Sequence, residues 1–201
     1  MRRVRRRTWI VLAVAAVAAL GVTYGVVTWD TSGSAPFTLR EYPAGARPAA
    51  PAISGELLGG GGQLRLADLG DDVVVVNVWA SWCAPCRAET ADLEQVYQAT
   101  RELGVTFVGI NIRDARDKAE AFVRDRVTYP SIFDPGFQAG LVFAEPPAPL
   151  GPPATLVIDR DGRVAAAIYR MVGKVELEQL VKRVAAEPHQ TAAVRGGGPG
   201  G

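Results

Sequence analysis

Cysteine and histidine are scarce in this sequence. The 201 residues contain two cysteines, Cys83 and Cys86, and a single histidine, His189, near the C-terminus. A structural zinc site needs four ligands, usually two cysteine pairs or one pair with histidines. The scarcity argues against zinc, and neither a metal nor another cofactor is expected. His189 is interpreted as a solvated residue of the C-terminal tail.

Charge is absent from residues 9 to 29, an apolar run that follows five arginines. At about 1.5 Å per residue, a helix of this length crosses the roughly 30 Å hydrocarbon core of a membrane. The arginines predict that the N-terminus stays inside. We therefore expect residues 1 to 29 to be a signal-anchor that spans the membrane and leaves the rest of the chain extracytoplasmic. Cleavage near residues 32 to 35, which would yield a secreted protein, is the alternative.

The part of the chain beyond residue 29 has no excess of positive charge. It holds 17 basic and 21 acidic residues, a net charge of −4. Proteins that bind nucleic acid backbones rely on positive surface charge. The balance therefore argues against a nucleic-acid partner.

Composition divides the exported part into three segments. Residues 30 to 52 are rich in proline, alanine and glycine without apolar periodicity, which predicts a linker that tethers the domain to the membrane. Residues 188 to 201, PHQTAAVRGGGPGG, are typical of a disordered tail. The folded domain is expected between them, at residues 53 to 187.

Hydrophobic patterns within the domain alternate between strands and helices. Residues 73 to 79 form a β-branched apolar run, as expected of a strand buried on both faces. Helical spacing follows the cysteines, and a hairpin and a last helix end the domain. Further strands are predicted at 105 to 112, 131 to 134 and 154 to 159, and helices at 87 to 103, 114 to 127 and 175 to 186. This order predicts an α/β fold with a mixed central sheet.

The two cysteines are only three positions apart, so a disulfide between them closes a very short loop. The stabilisation that a disulfide gives grows with the length of the loop it closes, so a purely structural staple explains little. The pair also lies between a buried strand and a helix. Cys83 is expected at the helix N-terminus, where free N–H groups and the helix dipole favour a thiolate. Pro85 suits the first turn because its missing N–H would have no partner there.

This placement predicts a reactive pair. Cys83 attacks a substrate disulfide and forms a mixed disulfide, and Cys86 then attacks Cys83 and releases the reduced product. The reverse sequence oxidises a dithiol. The direction of the reaction is left open by these residues.

The segment VVVVNVWASWCAPCRAE resembles the active-site region of the TlpA/ResA-like family of membrane-anchored thioredoxins. The later segment PATLVIDRDGRV fits the same family, and the resemblance covers about residues 53 to 187. It implies a thioredoxin-like fold, in which helices flank a central mixed β-sheet, together with an N-terminal transmembrane helix.

The resemblance also implies roles for individual residues. Cys83 is the nucleophile and Cys86 the resolving thiol. Pro153 resembles the cis-proline that packs beside the active-site pair in this family. Trp82, Ala84 and Pro85 surround the cysteines in sequence, and together with Pro153 they are expected to form the substrate-binding surface.

Glu89, three residues after Cys86, resembles a glutamate found near the thiols in ResA-like members. There it would exchange protons with the thiols, and its charge would raise their pKa. The alternative is an exposed acid stabilised by the helix dipole. Many thioredoxins bury an aspartate at the position of Asn77, and asparagine cannot titrate, which favours a role for Glu89. Trp79 is expected in the core.

The sequence therefore predicts an extracytoplasmic protein thiol-disulfide oxidoreductase. The resemblance implies a reductant fed by a membrane thiol carrier and acting on exported proteins with cysteine pairs, such as apocytochrome c in cytochrome c maturation. An oxidant that forms disulfides is the main alternative. A peroxiredoxin-like peroxidase shares the fold but carries threonine at the position of Ala80. A non-catalytic anchored binding module is the remaining hypothesis.

Overall fold

The computed structural model describes residues 39 to 141 and 151 to 189. The predicted anchor at residues 1 to 29 and most of the predicted tail lie outside this range. Within the described stretches, no helix combines the length and the apolar character that crossing a membrane requires.

Strands and helices alternate along these two stretches. The strands are Leu39–Glu41 (β1), Ser54–Glu56 (β2), Gln63–Arg65 (β3), Val73–Trp79 (β4), Val105–Ile112 (β5), Ser131–Asp134 (β6), Ala154–Ile158 (β7) and Val164–Ile168 (β8). The α-helices are Ala84–Thr100 (α1), Arg116–Val123 (α2), Gln138–Leu141 (α3) and Lys174–Ala185 (α4).

Among the described residues, six strands form one sheet in the order β1-β8-β7-β4-β5-β6. Strand β4 is parallel to β5, and β5 is parallel to β6. Strand β7 is antiparallel to both β4 and β8, and β1 is antiparallel to β8. Strands β2 and β3 form a separate two-stranded hairpin that turns at the glycines at 59 to 62. The predicted α/β fold with a mixed central sheet is confirmed.

Strand β4 lies in the middle of this sheet, and all seven of its residues are buried. Successive side chains of a strand point to opposite faces, so a strand covered on both sides needs an unbroken apolar run. Val73 and Val75 pack in one core with residues of α1 and α4, whereas Val74, Val76 and Val78 pack in a second core on the other face. The valine run thus serves both cores and fixes β4 in place.

Helix α1 begins at Ala84, directly after Cys83, as predicted from the placement of the cysteines and three residues before the helical spacing that starts at Arg87. The side chain of Cys83 caps it, and Pro85 occupies its first turn. The helix ends at Thr100, and a short 3-10 turn from Arg101 to Leu103 leads to Gly104, whose positive φ of 72° reverses the chain. Side chains at helical spacing, including Leu93 and Val96, face the sheet.

Residues 39 to 52, the second part of the predicted linker, are packed against the domain. Strand β1 pairs with β8, and the backbone N–H of Tyr42 donates to the carbonyl of Ala165. The side chain of Arg47 is only 5% exposed and forms ion pairs with Asp159 and Glu187 at 2.9 and 2.6 Å. These contacts are specific rather than periodic, so composition did not reveal them. The folded unit therefore includes residues 39 to 52.

The last residue of the predicted domain and the start of the predicted tail both have partners in the folded unit. Glu187 binds Arg47 through both of its carboxylate oxygens. His189 follows two residues later, with its Nδ1 atom 3.5 Å from an oxygen of Asp161 and its side chain still 38% exposed. The domain therefore extends to the end of the second described stretch.

Replacing Arg47 by alanine should destabilise the domain. Removing one partner of a buried ion pair leaves the other charge buried without compensation, which costs about 3 kcal/mol. We expect a loss of this size in the free energy of unfolding, measured by urea denaturation of the oxidised protein. The matched control is Arg65→Ala, which breaks the exposed Arg65–Asp68 pair and should leave stability nearly unchanged. Equal stability of the two variants would contradict the importance of Arg47.

Candidate active site

The two cysteines form a disulfide at the point where β4 leads into α1. The Sγ–Sγ bond is 1.98 Å long, and the two Cα atoms lie 5.3 Å apart. Cys83 is the N-cap residue of α1, and the backbone N–H of Cys86 donates to Cys83 Sγ at 3.2 Å. The helix start thus directs an N–H group and the positive end of its dipole at this sulfur, an environment that favours a thiolate once the disulfide is reduced.

The disulfide is set into an apolar cluster. Cys83 is 4% exposed and Cys86 only 1% exposed, and the cluster around them includes Leu58, Trp79 and Phe122. Trp79 is in the core as predicted, and its indole N–H donates to the hydroxyl of Ser131 at 3.3 Å. Cys83 is therefore the more accessible cysteine, by a small margin.

Exposed residues lie next to Cys83 in the chain. Trp82 is 58% exposed, and its indole N–H donates to the carbonyl of Arg113 at 2.9 Å. Ala84 and Pro85 begin α1 and are also exposed. Arg87 is exposed on the same turn of the helix and donates to the carbonyl of Ser81 at 3.3 Å. The predicted surface residues next to the cysteines thus do lie together.

The peptide bond between Pro152 and Pro153 is cis, as predicted for Pro153. Strand β7 begins at the next residue, Ala154, which pairs with Val78 of β4. Because the two strands are antiparallel, Pro153 lies one position beyond this pair, beside the end of β4 that leads to the cysteines. Sheet register therefore places Pro153 next to the disulfide region.

Glu89 is buried, with 1% of its surface exposed, so the alternative of a solvated acid is excluded. One carboxylate oxygen accepts from Asn77 Nδ2 and the other from the backbone N–H of Val172, both at 3.0 Å. Burial raises the pKa of Glu89 to about 7, although both hydrogen bonds oppose the shift. Glu89 therefore changes charge near neutral pH, one helical turn beyond Cys86.

The partners of Glu89 are not evident from the sequence. Asn77 also donates to the hydroxyl of Thr155, so it links β4, β7 and α1 through one amide group. Val172 belongs to the loop after β8 and is 83 positions from Glu89 in the chain. Asparagine in place of the aspartate common in thioredoxins could have pointed to Asn77 as a partner of Glu89. No local sequence pattern identifies Val172 as the second donor.

No group of three or more histidine, cysteine, aspartate or glutamate side chains that could hold a metal ion occurs within the two described stretches.

A dithiol–disulfide pair at the start of a helix, beside a cis-proline on a mixed sheet, defines the thioredoxin-like class of redox proteins. The AhpC/TSA family model matches residues 47 to 167, and the chain belongs to this family.

Known relatives agree with this assignment. The thiol:disulfide interchange protein HelX of Rhodobacter capsulatus is 32% identical over 161 residues, which cover 76% of this chain and 85% of HelX. The thiol-disulfide oxidoreductase ResA of Geobacillus thermodenitrificans is 26% identical over 125 residues, or 62% of this chain and 70% of ResA. The predicted relationship to ResA-like proteins is confirmed.

A solved structure is also similar. The secreted thiol-disulfide isomerase of Corynebacterium glutamicum superimposes with a TM-score of 0.71 at 34% identity, covering 77% of this chain and 95% of the other. The fold is thus thioredoxin-like, and the chain is a thiol-disulfide oxidoreductase.

Burial of Glu89 should make stability fall as pH rises. In the unfolded chain the carboxyl loses its proton near pH 4.5, whereas the folded protein holds it until about pH 7. Between these values the folded state binds more protons, so its stability falls with rising pH, by up to about 3 kcal/mol. Glu89→Gln should not show this decline. Urea unfolding of the oxidised protein at about pH 5 and about pH 8 measures it.

The control for this experiment is Glu102→Gln, which changes an exposed acid just beyond the other end of α1. Its stability should follow that of the unmodified protein at both pH values. Parallel pH profiles for Glu89→Gln and the unmodified protein would contradict the assignment of the decline to Glu89.

Proposed function

We propose that the chain reduces protein disulfides on the extracytoplasmic side of a membrane, with Cys83 as nucleophile and Cys86 as resolving thiol. The observation that carries this proposal is the Cys83–Cys86 disulfide at the N-terminus of α1, with Cys83 as the capping residue. The helix N-terminus favours the thiolate of Cys83 over that of Cys86, which lies one turn further in and deeper in the apolar cluster.

The reaction takes two exchange steps. The Cys83 thiolate attacks one sulfur of the substrate disulfide, a mixed disulfide forms, and the other substrate sulfur leaves as a thiolate. Cys86 loses its proton and attacks Cys83 Sγ, which breaks the mixed disulfide and restores the Cys83–Cys86 bond. The substrate gains two electrons and two protons, and the protein is left oxidised.

Glu89 is the proposed proton acceptor for the second step. Cys86 is buried, so its proton has no direct exit to water, and Glu89 lies one helical turn away. A pKa of about 7 lets the carboxyl take up and release a proton at neutral pH. Asn77 holds the carboxylate in place but cannot titrate, which leaves this role to Glu89.

The surroundings of the pair favour a reductant over an oxidant. Strong disulfide oxidants owe their high potential to a stabilised reduced form, which usually means a stabilised thiolate. Here the negative charge of Glu89 disfavours a thiolate at Cys86, and the two residues between the cysteines, Ala84 and Pro85, carry no charge. The charge of Glu89 therefore offsets the stabilisation that the helix N-terminus gives to the Cys83 thiolate, and it shifts the couple towards the disulfide, which makes the reduced form a better electron donor.

Exported proteins with cysteine pairs are the proposed substrates, docked on Trp82, Ala84, Pro85 and Pro153. Within that class we propose the CxxCH disulfide of apocytochrome c, in keeping with the ResA-like relationship. Electrons would then come from a membrane thiol carrier. Residues 1 to 29 would anchor the domain beside that carrier, and cleavage to a secreted form is the alternative.

The reduction potential of the Cys83–Cys86 pair tests the direction. We expect a value near that of thioredoxin, about −270 mV or lower, from equilibration of the full-length chain with dithiothreitol buffers. A value near about −120 mV would identify an oxidant and rule out the reductant proposal. Absence of a reversible couple would leave a binding module. Glu89→Gln should raise the potential, because it removes the charge that disfavours the thiolate.

Trapping the intermediate tests the division of roles. The Cys86→Ala variant keeps the nucleophile but lacks the resolving thiol, so it should accumulate a mixed disulfide with a peptide that contains an oxidised CxxCH motif. The Cys83→Ala variant should accumulate much less, since Cys86 is nearly inaccessible. Mass spectrometry after acid quenching gives both yields. A larger yield from Cys83→Ala would reverse the proposed roles.

A further inference from the structure

The turn between β5 and α2 contacts the loop that leads to Cys83, and neither the predicted site nor the proposed chemistry involves it. Asp114 is the centre of this contact. Its carboxylate accepts from both the backbone N–H and the hydroxyl of Ser81, two residues before Cys83. It also accepts from Asn111 Nδ2 at 3.0 Å and from the backbone N–H of Ala115 at 2.9 Å.

The four hydrogen bonds are shared evenly between the two carboxylate oxygens. Oδ1 accepts from the Ser81 hydroxyl and the Ala115 N–H, and Oδ2 accepts from the Ser81 N–H and from Asn111. A carboxylate offers about four acceptor positions, so this one is fully used. An acid that caps a helix bonds to N–H groups inside its first turn, and no side chain caps the start of α2 in this way. The bonds to Ser81 instead tie α2 and β5 to the active-site loop.

The side chain of Asn111 donates to Asp114 but leaves its own amide oxygen without a hydrogen bond. It is fully buried at the end of β5, in register with Trp79 of β4. Within the described part of the chain, its Oδ1 is the one buried side-chain oxygen or nitrogen without a hydrogen-bond partner. Turning the amide over would bring Oδ1 against the carboxylate, so the observed orientation serves Asp114 rather than Asn111 itself.

The residue before Asp114 holds Trp82. The indole N–H of Trp82 donates to the Arg113 carbonyl, which fixes the direction of a ring that is otherwise largely exposed. Arg113 has a φ of 48°, in the left-handed region that residues other than glycine seldom adopt. Uncommon backbone angles of this kind concentrate where function requires a set geometry. One turn therefore holds both residues that precede Cys83.

We propose that Asp114 is a positioning residue for disulfide exchange: it fixes Ser81 and Trp82 so that an incoming protein disulfide meets Cys83 in one orientation. The proposal rests on the proposed role of Cys83 as nucleophile. Asp114 does not touch the sulfurs. It acts through the loop, and it should matter most for substrates large enough to contact Trp82.

The test compares a protein disulfide with a small one. The reduced full-length chain is mixed with insulin or with oxidised glutathione, and the second-order rate constants are measured after acid quenching. Asp114→Ala should lower the rate with insulin by about tenfold or more, because small misplacements of reacting groups are costly. The rate with glutathione should fall by less than about threefold, since this small disulfide does not need the Trp82 surface.

Two further variants separate position from charge. In Asp114→Asn the amide oxygen can still accept from the Ser81 N–H and from Asn111, and the NH₂ can donate to the Ser81 hydroxyl. Only the bond from the Ala115 N–H is lost, so this variant should recover at least about half of the insulin rate. Asp117→Asn removes the same charge from an exposed side chain in the first turn of α2. It should match the unmodified protein with both disulfides.

Each outcome decides the matter. Equal insulin rates for Asp114→Ala and Asp117→Asn would overturn the proposal. It would also be overturned if Asp114→Ala and Asp114→Asn lowered the rate constant equally with insulin and with glutathione. If Asp114→Ala does not fold, Ser81→Ala carries the test: a loss confined to insulin supports positioning, and no loss overturns it. If the unmodified chain reacts with neither disulfide, the proposed function fails instead.

Discussion

The burial of β4 in the centre of the sheet is the constraint on which the site depends. Both faces of the strand are packed, and both edges are paired, with β5 on one side and β7 on the other. Its end therefore cannot move without disrupting two cores. The chain leaves that end at Trp79 and reaches Cys83 four residues later. Pairing with β7 brings in Pro153, and pairing with β5 brings in Asn111 and Asp114.

The geometry of the sheet also sets the electrostatics of the pair. The start of α1 directs an N–H group at Cys83, whereas Glu89 lies one turn beyond Cys86 on the same helix and accepts from Asn77 of β4 and from Val172 in the loop after β8. The first feature favours a thiolate and the second disfavours one. Two cysteines three positions apart thus have different surroundings, and this difference underlies the distinct roles proposed for them.

The parts of this arrangement that arise from local patterns could be predicted from the sequence. The valine run of β4, the start of α1 and the hairpin of β7 and β8 are each encoded within a few residues. Contacts between distant positions could not be predicted. Arg47 binds partners 112 and 140 positions away, Asp114 binds Ser81 33 positions away, and Glu89 reaches Val172 over 83 positions.

Glu89 illustrates why the remaining details need the structure. Its place in α1 was clear, but helical spacing alone does not tell whether a side chain near the edge of the buried face is covered. The loop after β8 covers it, and that loop offers a single backbone N–H to the carboxylate. A buried acid with one side-chain donor and one backbone donor has a pKa near neutral pH, whereas an exposed acid would be ionised at that pH. The proposed proton transfer therefore depends on a contact that no sequence pattern marks.

The apolar cluster around Cys86 has a further consequence for the proposed reaction. A thiolate at Cys86 would be poorly solvated, so this cysteine should stay protonated until a base takes its proton. In the proposed mechanism, the mixed disulfide is then resolved only as fast as Glu89 accepts that proton. The reduced form then holds two electrons together with the proton of Cys86, and it can pass the electrons and the proton to a substrate disulfide. We therefore expect that the same burial that makes Cys86 slow to attack makes the reduced protein an effective donor in the proposed direction.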